Sequence, residues 1–109
     1  MGLYSTIRAA VHCRRCVRLV EADVQFRYGN LYSHRYGLGS EIVWGRTQLG
    51  DRSERRVAVL GIGGCPLCDL EWRFDIIVDA GVIQSVGLHR NRYAYLGEDY
   101  LELERPLPR

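Results

Sequence analysis

The chain has 109 residues, 47% hydrophobic and 26% charged. That is enough apolar material for one ordinary core and excludes a disordered protein. No apolar run approaches the roughly 18 residues of a membrane helix, and the first residues lack the basic-then-apolar order of a secretory signal. The expected compartment is therefore the cytoplasm, where thiols stay reduced. The formal charge is +2, and all fifteen basic residues are arginine. Four thiolates and one divalent ion would bring that total to zero, which does not favour general nucleic-acid binding by long-range attraction.

In chain order, the first feature is Cys13-Arg14-Arg15-Cys16, preceded by His12. Val24, Phe26 and Tyr28 then alternate with Gln25 and Arg27, the period of a half-buried strand. Gly29-Asn30 reads as a tight turn, and Tyr32, His34 and Tyr36 alternate on a returning strand. Gly37 to Ser40 breaks that strand before Ile42-Val43-Trp44. Residues 45–55 are polar and carry two further glycines, so a flexible loop with its tip at 50–53 is expected. Arg56 to Ile62 is short, apolar and β-branched, and it runs into Cys65-Pro66-Leu67-Cys68.

Beyond that motif, Trp72, Phe74 and Ile76 alternate with Arg73 and Asp75. A hairpin follows through Asp79-Ala80-Gly81 and continues to Val86 and Leu88. Residues 93–103 alternate again and fit either a final strand or one short helix. The expectation is an all-β, small single-domain antiparallel sheet or barrel over residues 1–104, with a loose tail over 105–109.

The two Cys-x-x-Cys pairs use all four cysteines. A pair at that spacing wraps one turn of backbone around a metal, and two pairs complete the S₄ shell that structural Zn²⁺ prefers. One Zn²⁺ per chain on Cys13, Cys16, Cys65 and Cys68 is the expected cofactor. Gly63-Gly64 supplies flexible backbone ahead of the second knuckle, and Pro66 restrains its turn. Each knuckle falls where one strand ends and the next begins, so the ion would close the long segment 17–64 into one domain.

Iron competes, because Cys-Pro-Leu-Cys resembles half of a rubredoxin-type site. Asp69 in place of a glycine, and a first pair without proline or glycine, weigh against it. A dithiol redox site also competes, although strand patterns flank both pairs where thioredoxin-like chemistry needs a helix N-terminus. Catalytic zinc fits poorly, since four cysteines leave no open position and no His-Glu-x-x-His occurs. His12 reads as a strand residue beside the knuckle, and His34 and His89 read as surface residues.

Arg14, Arg15 and Arg18 form one basic cluster. Arg90 and Arg92 form another beside Tyr93, a combination suited to stacking on single-stranded nucleic acid. The plain alternative is a solvated face balanced by nearby carboxylates. Seven tyrosines with many arginines also match the residue types enriched at protein interfaces.

The opening Met1-Gly2-Leu3-Tyr4-Ser5-Thr6-Ile7, a CxxC, a polar-aromatic hairpin and a second CxxC resemble a group of small bacterial and phage-encoded zinc-knuckle proteins. The likeness covers roughly residues 1–88. It implies metal at the four cysteines and, by analogy, an inhibitor, immunity or phage accessory role. The function expected is a non-enzymatic zinc-binding β-domain that engages a protein partner, with no membrane association. The alternatives are a nucleic-acid-binding zinc ribbon, and a Cys₄ iron electron carrier or dithiol redox protein.

Overall fold

The computed structural model describes residues 4–13, 15, 17–31, 34–67, 71–90 and 92–104. Among them there is no helix, so none is long and apolar enough to cross a membrane. The described residues form nine strands: β1 (Ser5–His12), β2 (Leu19–Phe26), β3 (Gly29–Asn30), β4 (Arg35–Tyr36), β5 (Gln48–Leu49), β6 (Arg56–Gly64), β7 (Glu71–Asp79), β8 (Val82–Leu88) and β9 (Tyr100–Glu104). Seven make one sheet in the order β4-β1-β2-β6-β7-β8, with β9 also paired to β6. All pairs are antiparallel except β1 with β4. The sheet curls into a half-barrel, and β8 returns close to β1.

The curl follows from alternation. On β1 and β2, Ile7, Ala9, Val11, Val20, Ala22, Val24 and Phe26 all face inward and are buried. Their outward neighbours include Arg8, Glu21 and Asp23, and Arg8 bridges to Asp23 at 3.1 Å and Glu21 at 3.9 Å. Inward residues of β6, β7 and β8 (Val57, Val59, Phe74, Ile76, Val78 and Ile83) close the same core. Where β2 meets β6, Gly61 and Gly63 permit the approach: a Cβ on Gly63 would lie 2.8 Å from the Asp23 carbonyl oxygen. Glycine in a strand interior marks such close passages and bends.

The hairpins at β1–β2, β6–β7 and β7–β8 account for most of the sheet. The last turns on Ala80 (φ 50°) and Gly81 (φ 78°), the paired left-handed conformations of a two-residue hairpin loop. Residues 93–103 resolve as turns leading into β9, so the strand alternative holds and the short helix does not.

Two expectations are corrected. Gly29-Asn30 does not turn a 24–36 hairpin: it forms β3, paired to β5, and the partners of β2 are β1 and β6. Gly29 serves packing there, since a Cβ on it would lie 2.4 Å from Ile42 Cγ2. The returning strand shrinks to β4, parallel to β1, while 32–33 lie outside the described residues.

Residues 45–55 are also tied down, beyond the β3–β5 pairing. Glu54 accepts hydrogen bonds from the Asp51 N–H at 2.6 Å and from the Tyr28 hydroxyl at 3.1 Å. Tyr28 is fully buried, edge-on to Trp44 and Tyr100. The expected tail, 105–109, lies outside the described residues.

Candidate metal centre

Both cysteine motifs occupy the same place in their hairpins. His12 pairs with Leu19, so residues 13–18 make the first turn; Gly64 pairs with Glu71, so residues 65–70 make the second. Each turn has six positions, with cysteines at its first and fourth. Of these, Cys13 and Cys65 are described, and Cys16, Cys68 and Arg14 lie outside the described residues.

Cys13 and Cys65 are each 3% exposed and belong to the same core cluster. They line one narrow apolar cleft with Val11, Val20, Ala22 and Phe74, too tight to admit a water molecule. The curl of the sheet thus brings the first cysteine of each motif together, although the chain separates them by half its length. Among the described residues, which include two of the four cysteines, no three His, Cys, Asp or Glu side chains gather to hold a metal ion.

The first turn is closed by two backbone hydrogen bonds. The Cys13 N–H donates to the Arg18 carbonyl at 3.1 Å, and the Val17 N–H donates to the Cys13 carbonyl at 2.9 Å. These hold Val17 at φ 61°, the left-handed region in which a β-branched residue is a genuine outlier. Val17 follows the second cysteine directly, the position at which knuckles commonly place glycine. Strain of this kind persists only where the surroundings over-determine it.

The turns also expose side chains. Arg15, Val17, Arg18 and Leu19 are exposed around the first, and Leu67 around the second. Arg15 and Arg18 form no ion pair with a described carboxylate. His12 ends β1 as a strand residue with an exposed side chain.

The other two histidines are not surface residues. His34 is half-buried with its ring tilted against Tyr36. The His89 side chain is 16% exposed, and its Nδ1 lies 2.9 Å from Asp75 Oδ1. The Tyr95 hydroxyl donates to that same oxygen at 2.7 Å. A carboxylate oxygen only accepts, so Nδ1 is the donor in this contact. Burial, then the hydrogen bond to Asp75, push the Tyr95 phenol far above its ordinary value.

The signal for this trio was Asp75 itself, a carboxylate flanked by Phe74, Ile76 and Ile77. Arg90, Arg92 and Tyr93 belong to the same region, beside a cleft that also touches Asp75, and not to the cysteine turns.

No family model, curated protein or solved structure matches the chain.

Proposed function

We propose that this chain is a zinc-stapled β-domain that acts as a binding module and not as an enzyme. One observation carries the reading: two hairpin turns of equal length each begin with a buried cysteine, and both cysteines line the same dry cleft. Thiols are the ligands Zn²⁺ prefers at structural sites, and Cys16 and Cys68 stand at the spacing that completes a four-cysteine set. A bound ion would supply a cross-link between the ends of β1–β2 and β6–β7. The left-handed Val17 supports the reading, because a knuckle needs that backbone shape at that position.

With four thiolates as ligands the metal keeps no open position for substrate. Partner binding then falls to the exposed turns, where Val17, Leu19 and Leu67 are flanked by Arg15 and Arg18. Apolar side chains rimmed by arginines suit a protein surface with carboxylates around a hydrophobic centre. The reading places the protein in a reducing compartment, the cytoplasm, where the thiols remain available to metal.

Elemental analysis of protein purified without added metal or chelator tests the centre, with one zinc per chain expected. Iron would make the domain an electron carrier, and metal-free protein would remove the staple. Cys65→Ser is expected to lose the zinc and most cooperative unfolding, because metal binding and folding are coupled. Chelator added to the unmodified chain separates that effect from the packing change. A metal-free protein with an unchanged melting curve would refute the structural role.

A further inference from the structure

Residues 89–90 and 92–99 form a strap across the outer face of the sheet. They leave β8, pass over β7 and reach β6 before entering β9. Backbone hydrogen bonds hold the two ends, from the His89 N–H to the Arg73 carbonyl and from the Leu60 N–H to the Asp99 carbonyl, both 2.9 Å. One atom, Asp75 Oδ1, anchors the strap at its start through His89 and at its middle through Tyr95. This explains why β7 is buried on both faces at 74–76.

Beside the anchor is a cleft of about 330 Å³, within the low end of the roughly 300–1,000 Å³ range of small-ligand pockets. Its floor includes Ile77 and Leu88 with Ser85 and Gly87, and Arg90, Arg92 and Tyr93 stand around it. A Cβ built on Gly87 would meet nothing within 4 Å, so a flat group can lie against the strand there.

The charges in this cleft are unbalanced in a useful way. Arg90 and Arg92 are exposed and form no ion pair with a described carboxylate. Asp75, the carboxylate on the cleft wall, already accepts from His89 and Tyr95 and is fixed by them. Two guanidinium groups therefore line the cleft without an ion-pair partner among the described residues, and guanidinium binds phosphate oxygens in bidentate pairs. Tyr93 is half-buried and presents an aromatic ring between this cleft and a neighbouring one of about 360 Å³ lined by Arg73 and His89.

We propose that this cleft binds a small organic phosphate bearing a planar ring, of the nucleoside monophosphate class. Arg90 and Arg92 hold the phosphate, Tyr93 packs against the ring, and the Asp75 anchor fixes the strap that carries them. This site is independent of the cysteine centre.

The test is titration calorimetry of the full-length, as-purified protein with adenosine 5′-monophosphate, inorganic phosphate, adenosine and a single-stranded oligoadenylate. The monophosphate is expected to bind more tightly than phosphate or adenosine alone. Arg90→Ala with Arg92→Ala should weaken it about tenfold or more, and Tyr93→Ala several-fold, while Tyr93→Phe binds as the parent does. All these positions lie outside the core, and an unchanged amide spectrum and melting midpoint confirm that the variants are folded. Arg52→Ala, at an exposed arginine that lines neither cleft, should leave the affinity unchanged.

Four results would overturn the proposal: no heat at millimolar monophosphate; arginine variants that bind like the parent; phosphate binding as tightly as the monophosphate, meaning an adventitious anion only; or binding confined to the oligonucleotide, meaning a nucleic-acid surface. None of these bears on the zinc content, so the two readings fail separately.

Discussion

Replacing Val17 with glycine should stabilise the protein, against the usual rule that valine-to-glycine changes destabilise. Val17 sits at φ 61°. Left-handed backbone costs an L-residue roughly 1–2 kcal/mol, and β-branching places valine among the worst cases. Glycine removes that cost but brings about 0.5–1 kcal/mol of extra chain entropy to lose on folding. The side chain is 72% exposed, so its loss forfeits little buried area. The net expectation is a gain of about 1 kcal/mol, or roughly 4–8 °C in melting temperature for a domain near this size.

Urea unfolding of the as-purified protein measures the change, with an unaltered slope showing that the same surface is exposed. Val17→Ala removes the branch and keeps the Cβ, so it should fall between valine and glycine or close to valine. A glycine variant no more stable than the parent, at unchanged slope, would mean that the turn does not impose the strained conformation.

The β7–β8 turn offers an independent case: Ala80→Asn, which gives Asp-Asn-Gly, should add about 0.5–1 kcal/mol because asparagine tolerates the left-handed first position far better than alanine. An equal or lower melting midpoint would refute it. At alkaline pH the buried phenols set the limit. Burial and then the Glu54 carboxylate raise Tyr28 and Tyr100, the latter pushed up to about 12, and Tyr95 is raised by burial and its bond to Asp75. A phenol whose folded pKa exceeds its unfolded value of about 10 contributes stability that is complete below pH 10 and lost as pH rises through the folded value. Stability should therefore fall between pH 10 and 12. Absorbance at 295 nm should show these tyrosines ionising together with loss of circular dichroism; full ionisation near pH 10 in a still-folded protein would contradict the assignment.

The strands most legible in the sequence are β6, a short β-branched apolar run, and β7 and β8, where apolar residues alternate with polar ones around a turn that carries its own glycine. β1 is faint because its inward positions are Ser5, Ile7, Ala9 and Val11 and an outward one is Ala10, so alternation produces little contrast. The false hairpin at 24–36 arose because Gly29-Asn30 has turn composition, whereas Gly29 is needed for its contact with Ile42. No local pattern reports a requirement imposed by residues thirteen positions away.

The site divides the same way. Cysteine spacing is a local signal, and it pointed to the two hairpin turns. The Asp75–His89–Tyr95 anchor joins residues 14 and 20 positions apart; His89 follows the end of the β8 pattern, and Tyr95 lies in a segment whose alternation fitted either a strand or a helix. Asp75 alternates correctly as an outward residue of β7, and outward normally means solvent. Only the strap, which covers that face, turns it into a buried acceptor.

The distribution of buried and exposed groups narrows where this domain can bind. The concave face is filled by Ile7, Val24, Phe26, Val59, Phe74 and Ile76, all essentially inaccessible, and the cleft beside the cysteines has no room even for water. On the outer face of β1–β2, Arg8 is already matched by Asp23 and Glu21, so a partner there must compete with existing ion pairs. Two regions instead combine exposed arginines that lack a described carboxylate with apolar or aromatic neighbours. One is the pair of cysteine turns, with Arg15 and Arg18 near Val17, Leu19 and Leu67. The other is the strap, with Arg90 and Arg92 near Tyr93. β7 connects them physically, because it begins at the second cysteine turn and carries Asp75 on its outer face. A rigid β6–β7 hairpin therefore serves both regions: it fixes Cys65 against Cys13 at its end and holds the strap across its middle.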